Sequence, residues 1–410
     1  MMTGDPARER LVGHTLETMS QHRIAMVSMH TSPMEPPGAA DAGGMNVVEL
    51  NEAFALAGLG YEVDLMTRRS DASQPDIVAM APGVRLLHLD AGPAAALPKS
   101  EIDRHIPEFA TALRGLPGYD VYHCQHWMSG IAALDVAREH GAPLVISFHS
   151  VAARSGGDLS EGEPPESPRR VPGEARLARE SNHVIAISAA EARTVIFRCG
   201  ADPDKVSIIP PGVDLELFHP MGPGEEQRPY LAFAARLQPL KGADLAIHAL
   251  SRIDPAIRPR LVIAGAQSLD FAEYVAGLRT QVQDLELNDD VSFIGPRSRA
   301  ELAGIFARAS LVLVPSYSET FGLVALEAAA CGTPVIASAA GGLREAVIHG
   351  ESGQLMDSRD PEDWARAITS LLAKPQTLAQ MGVVARVHAR RFTWNSMARQ
   401  VAGVYESLLS

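Results

Sequence analysis

Short, continuous apolar runs recur along the chain, separated by longer stretches in which apolar residues fall three or four apart. The runs at 23–29, 61–66, 84–89, 120–124, 143–148, 183–188 and 206–210 are rich in apolar and β-branched residues, and those at 23–29, 143–148 and 183–188 are nearly continuous. That pattern belongs to parallel strands covered on both faces. A second series follows at 230–235, 260–265, 291–296, 311–314 and 334–338. Between the runs lie predicted helices. One spans 47–57 and is ended by Gly58 and Gly60; others span 243–250 and 323–330. The spacing of Met397, Val401, Val404, Tyr405, Leu408 and Leu409 predicts a last helix over 392–410. Strand–helix alternation in two series predicts an α/β protein with two doubly wound, Rossmann-like domains. The expected domains are 22–219 and 220–391, joined at the Pro/Gly-rich segment 220–229, with helix 392–410 packing back on the first.

Composition narrows the function classes. The 410 residues carry a formal charge of −13, which argues against broad nucleic-acid binding and a polybasic membrane anchor. No apolar run approaches the ~20 residues of a membrane span, so stable membrane insertion is not expected. Residues 1–21 read as a loose leader without the apolar stretch of a signal peptide. Cys124, Cys199 and Cys331 are scattered and form no CxxC pair, which suggests a reducing compartment. The expectation is a cytoplasmic enzyme acting on small molecules, as a monomer or a homodimer.

Candidate chemistry concentrates where strands end. After run 311–314 come Glu319, Phe321, Gly322 and Leu323, then Glu327 inside the helix. A strand entering a helix through such a turn aims free backbone N–H groups at an anion. Carboxylates beside an anion site are costly unless they hold something else, such as sugar hydroxyls. Taken singly, Glu319 and Glu327 also fit a surface turn and a solvated helix position. Arg236-x4-Lys241 occupies the first strand–helix loop of the second series. Two cations there would neutralise a diphosphate and stabilise the charge that develops as a sugar–phosphate bond breaks. No DxD-type pair stands in a plausible loop to hold a metal, so none is expected. Gly43 and Gly44 open the first helix and allow close backbone approach to a ligand, though a tight turn alone would explain them. They do not form GxGxxG, which weakens a nicotinamide reading. His126 and His149 follow strands at the edge where open α/β sheets bind ligands. The Gly-, Pro-, Glu- and Arg-rich loop 154–173 is too long to be idle.

Together, Gly43-Gly44-Met45-Asn46, Arg236-x4-Lys241 and Glu319-x7-Glu327 resemble the retaining, GT-B-fold glycosyltransferases of family 4, over nearly the whole chain. The resemblance implies sugar transfer from a nucleotide donor with retained configuration and no obligatory metal or other cofactor. It implies that Glu327 binds the ribose, and that Glu319 with the backbone of Phe321, Gly322 and Leu323 contacts donor sugar and phosphate. Arg236 and Lys241 would clamp the diphosphate, and His149 would lie near the reacting carbon. His30-Thr31-Ser32-Pro33, Asp41-Ala42-Gly43-Gly44-Met45-Asn46, Trp127-Met128-Ser129-Gly130 and Pro315-Ser316-Tyr317-Ser318-Glu319 are similar to the branch of the family with inositol-phosphate and sucrose-phosphate enzymes. That likeness implies a UDP-sugar as co-substrate, UDP-N-acetylglucosamine or another UDP-hexose, and a small phosphorylated polyol or sugar as acceptor. The implied acceptor ligands are Asn46, Lys99, His126, Ser150 and Arg170. His126 stands where the family has Tyr, and Ser150 where it has Thr. Ala152-Ala153-Arg154-Ser155 replaces a Lys–Asn pair, and Arg170 matches with the loop shifted by one residue. Two other readings stay open. One is a family-4 enzyme extending a lipid-linked or polymeric glycan, and the other is a nucleotide-sugar-binding protein without turnover.

Overall fold

A computed structural model describes residues 22–35, 43–154, 156–222, 228–266 and 271–410. The leader 1–21, Asp41 and Ala42 of the glycine motif, Ser155 of the long loop and 223–227 of the linker lie outside the described residues.

Two sheets carry the fold. The first contains β1 (Arg23–Val27), β2 (Glu62–Arg68), β3 (Ile77–Ala81), β4 (Val84–Leu89), β5 (Val121–Gln125), β6 (Leu144–Ser147), β7 (His183–Ala186) and β8 (Val206–Ile208). Its order is β3-β4-β2-β1-β5-β6-β7-β8, and every pairing is parallel except β3 with β4. The second contains β9 (Tyr230–Ala234), β10 (Arg260–Ala264), β11 (Val291–Gly295), β12 (Leu311–Val314), β13 (Val335–Ser338) and β14 (Gly353–Met356). Its order is β11-β10-β9-β12-β13-β14, all parallel.

Strand order decides where ligands go. β1 lies between β2 and β5, and β9 lies between β10 and β12. Connections from the two central strands therefore depart in opposite directions and leave a crevice at their carboxyl ends. The loops after β1 and β5 lead to helices Gly44–Ala57 and His126–Glu139. Those after β9 and β12 lead to Ala243–Ser251 and Leu323–Ala330. Each crevice thus holds one loop pair that the sequence marks as chemical.

Each sheet is covered on both faces. The helix Trp394–Leu409 buries Met397, Val401 and Tyr405 in one cluster with Ile24 and Val63 of the first sheet and Val48 of the helix Gly44–Ala57. Each fully buried apolar side chain there contributes on the order of 2 kcal/mol. The Tyr405 hydroxyl lies 2.7 Å from His123 Nδ1, and His123 Nε2 lies 2.9 Å from Ser147 Oγ. The chain's last helix is thereby joined to β5 and β6, the strands that precede His126 and His149. Two connections between the sheets run side by side, with Val213 N donating to Phe392 O at 3.1 Å.

Several elements differ from the sequence expectation. The first helix opens at Gly44, before the expected Val47, because Gly43 is its N-cap and Asn46 Oδ1 accepts from Gly43 N. β3, the apolar run Ile77–Ala81, is an additional edge strand paired only with β4 in an antiparallel hairpin, which breaks the strand–helix alternation expected there. β14 and the helices Pro361–Leu372 and Pro375–Ala389 lie beyond the expected elements; Gly353–Met356 is too short and mixed to stand out.

Candidate active site between the sheets

The carboxyl edges of the sheets face one another across a cavity of about 680 Å³. This falls within the usual range for small-molecule sites. From the first sheet come His30, Gly43, Gly44, Asn46, Lys99, His126, His149 and Ser150. From the second come Arg236, Lys241, Glu319, Phe321, Gly322, Leu323 and Glu327. The walls touch at the glycine pair. A Cβ on Gly44 would stand 3.1 Å from Leu323 Cδ1, and one on Gly43 would stand 3.7 Å from Arg236 Nε. Thr320 Oγ1 donates to the His149 carbonyl at 2.7 Å and ties the walls a second time.

On the second wall, each acid is paired with a cation. Lys241 Nζ donates to Glu319 Oε1 at 2.8 Å, and Ser316 Oγ donates to the same oxygen at 2.8 Å. Arg299 Nη2 donates to Glu327 Oε1 at 2.9 Å. Burial pushes the Glu327 carboxyl up to about 7, even though Arg299 pulls it down. Gly322 caps the helix Leu323–Ala330 at φ 108°, a left-handed conformation that suits glycine. The Phe321 ring is buried and packs on Phe392 with centroids 5.6 Å apart. It anchors the turn and leaves its backbone to the cavity. Gly341 has φ 52°, and a Cβ there would lie 1.9 Å from the Glu319 carbonyl oxygen. The Glu319 loop can sit where it does only because that neighbour is glycine.

On the first wall, His149 and His126 follow β6 and β5 with φ 58° and 71°, unusual for non-glycine residues and typical of constrained sites. His149 Nε2 lies 2.5 Å from Gln125 Oε1. With that oxygen accepting, the ring proton sits on Nε2 and Nδ1 keeps a lone pair, which has no partner among the described residues. Burial, with a smaller contribution from His123, lowers the His149 pKa to about 3. The His126 and His30 rings lie 4.2 Å apart, and burial lowers both pKa values well below the usual range. Three neutral imidazoles therefore line this end of the cavity.

Two expected acceptor ligands are placed differently. Asn46 borders the cavity with both its donors already used: Nδ2 donates to Thr31 Oγ1 at 2.9 Å and to Ser32 O at 2.7 Å. It holds the loop after β1 against the first helix. Arg170 is fully buried beneath Ser150 and is not among the residues that line the cavity. Its guanidinium donates to Glu166 Oε1 at 2.6 Å, Glu174 Oε1 at 2.8 Å and Ser150 Oγ at 2.9 Å. Lys99 Nζ lies 2.7 Å from Glu166 Oε1.

Sequence reasoning gave no role to His30, Gln125, Glu163, Glu166 or Arg299. His30 could have been found by the strand-end rule that singled out His126 and His149. The glutamates carried no signal, because their significance is the pair of cations they meet.

Two facing Rossmann-like sheets with the ligand cavity between their switch points define the GT-B fold class. The chain belongs to glycosyltransferase family 4. The family model described as Glycosyl transferase 4-like domain matches residues 43–212, and that described as Glycosyl transferases group 1 matches 218–388. D-inositol 3-phosphate glycosyltransferase from Stackebrandtia nassauensis is 40% identical over 402 residues, covering 93% of this chain and 91% of the relative. The protein of that name from Frankia alni is 42% identical over 401 residues, covering 93% and 98%. Among solved structures, sucrose-phosphate synthase from Thermosynechococcus elongatus superposes with a TM-score of 0.86 at 30% identity, covering 94% of this chain and 99% of that one. Among the described residues, no helix is long and apolar enough to cross a membrane.

Proposed function

We propose that this glycosyltransferase moves a hexosyl group, with retained configuration, from a UDP-sugar to a hydroxyl of a small phosphorylated polyol or sugar such as an inositol phosphate. The observation that carries the reading is the pairing of walls. One offers Arg236, Lys241 and a helix N-terminus for a diphosphate; on the other, Ser150 and Lys99, with Arg170 behind them, surround the Glu163 carboxylate oxygen. The likeness to the D-inositol 3-phosphate glycosyltransferases supports the same acceptor class.

In this reading Glu327 accepts from the ribose hydroxyls, while Gly43, Gly44 and the turn Phe321–Gly322–Leu323 leave room for the diphosphate. Arg236 and Lys241 neutralise it, and Glu319, held beside Lys241, accepts from the donor sugar. His149 stays neutral through the physiological range and accepts a sugar hydroxyl at Nδ1. With its pKa held to about 3, His149 is a poor base. The acceptor hydroxyl adds to the anomeric carbon as the bond from that carbon to the phosphate oxygen breaks, and its proton leaves on the released diphosphate. Fixed positive charge lowers the barrier by stabilising that leaving group.

The test is a transfer assay in which UDP-, GDP- and ADP-hexoses are crossed with inositol phosphates, hexose phosphates and the unphosphorylated parents. Anomeric configuration is read by NMR, and the assay is repeated in EDTA. Retained transfer from a UDP-hexose to a phosphorylated polyol or sugar is expected, undiminished by EDTA. Nucleotide-sugar binding without transfer to any acceptor would sink the reading.

A further inference from the structure

Three donors converge on one oxygen of Glu163. Ser150 Oγ donates to Glu163 Oε2 at 3.1 Å, Arg170 Nη1 lies 3.3 Å from it and Lys99 Nζ 3.8 Å. Burial alone would push this carboxyl up. Lys99, Arg170, Arg236 and Lys241 outweigh burial and hold it well below the usual carboxylate range. Glu163 lines the cavity. Its backbone is pinned as well: Ala153 N donates to Glu163 O at 2.7 Å, and Gly162 before it has φ 135°, with its Cα hydrogens facing the Val151 carbonyl. A Cβ on Gly162 would stand 2.4 Å from that oxygen, so no other residue fits the turn that delivers Glu163.

We infer that Glu163 is an acceptor-specificity residue: its carboxylate occupies the oxyanion seat that Ser150, Lys99 and Arg170 form, and yields it only to an acceptor whose own phosphate can replace it. The inference rests on the phosphorylated-acceptor reading above. Its basis is the charge around the seat. Lys99 and Arg170 are also engaged by Glu166, and Arg170 by Glu174, so three carboxylates share two cations and the seat already carries an excess of negative charge while Glu163 stays. A phosphate entering beside Glu163 meets a like charge; a phosphate replacing it inherits the same donors. A neutral polyol brings no charge with which to compete and leaves Glu163 in place. The segment 156–166 thus discriminates against unphosphorylated look-alikes by holding an internal competitor.

The test uses the full chain and the variants E163Q and E163D. With saturating UDP-hexose, the KM for inositol 3-phosphate and the competitive Ki of inorganic phosphate against it are measured. The glutamine keeps the shape and removes the charge, so both constants should fall about five- to tenfold while donor KM holds. E163D keeps a carboxylate but retracts it from Lys99, so its constants should lie between those of E163Q and wild type. If wild type uses inositol 3-phosphate and all three proteins show the same KM and Ki, Glu163 is no competitor and the inference falls alone. If wild type instead glycosylates inositol and not its phosphate, and E163Q raises the KM for inositol, the phosphorylated-acceptor reading falls with it.

Discussion

Replacing Glu327 by Gln should flatten the pH dependence of donor affinity. Glu327 sits inside the helix Leu323–Ala330 and is 6% exposed. Burial moves its pKa from 4.5 to about 7 with Arg299 in contact. Ribose hydroxyls donating to the carboxylate would favour its charged form and return the group towards its ordinary range. At pH 6, roughly ten in eleven molecules would have to release a proton before binding, which weakens affinity about elevenfold, or ~1.4 kcal/mol. At pH 8 the same factor is only about 1.1. The Kd of a UDP-hexose, whose diphosphate diester does not titrate in this window, should therefore fall about tenfold from pH 6 to pH 8. Calorimetry in two buffers of different ionisation heat should show proton release falling from about 0.9 to about 0.1 per donor bound. The stability term has a definite sign. Because the folded pKa is raised, the favourable contribution is present below the ordinary 4.5 and is lost as pH rises through about 7. E327Q should bind donor more weakly at pH 8 and lose both slopes. A wild-type Kd that is level between pH 6 and 8, or an E327Q slope equal to wild type, would remove Glu327 from the ribose site.

Two further outcomes follow from the second wall. Lys241→Met should lower kcat about 10²- to 10³-fold, the usual cost of removing one preorganised charge from a transition state, with a smaller loss in donor binding; single-turnover rates checked against calorimetric Kd would expose a misassigned clamp if only Kd changed. Gly341→Ala places a Cβ against the Glu319 carbonyl at positive φ, so it should lower the melting temperature by several degrees and raise donor KM as the Glu319 loop shifts; an unchanged KM would detach that loop from the donor.

What could be read from the sequence was local. The central strands are continuous apolar runs, and Arg236 and Lys241 lie in one loop, as Glu319 and Glu327 share one turn and helix. Such groups keep their relation whatever the rest of the chain does. Strand β3 is itself an apolar run, Ile-Val-Ala-Met-Ala, but it stands two residues before β4 as the outer arm of a hairpin, outside the strand–helix alternation that organises the rest. The motif marks Asn46 as a ligand; the fold adds that both Nδ2 hydrogens are donated to Thr31 and Ser32, which leaves Oδ1, already accepting from Gly43 N, as the atom that could still accept. The acceptor wall was least legible, since Lys99, Ser150, Glu163, Glu166 and Arg170 meet only after β4, β5 and β6 have brought separate segments together. The folded chain adds the partners: Lys99, Arg170 and Lys241 each already hold a carboxylate. Under the proposed function, a phosphate entering at these cations would meet a carboxylate already in place rather than a bare charge. On the acceptor side, under the proposed function, affinity would depend on how readily Glu163 gives way, a quantity that no motif of cations can encode.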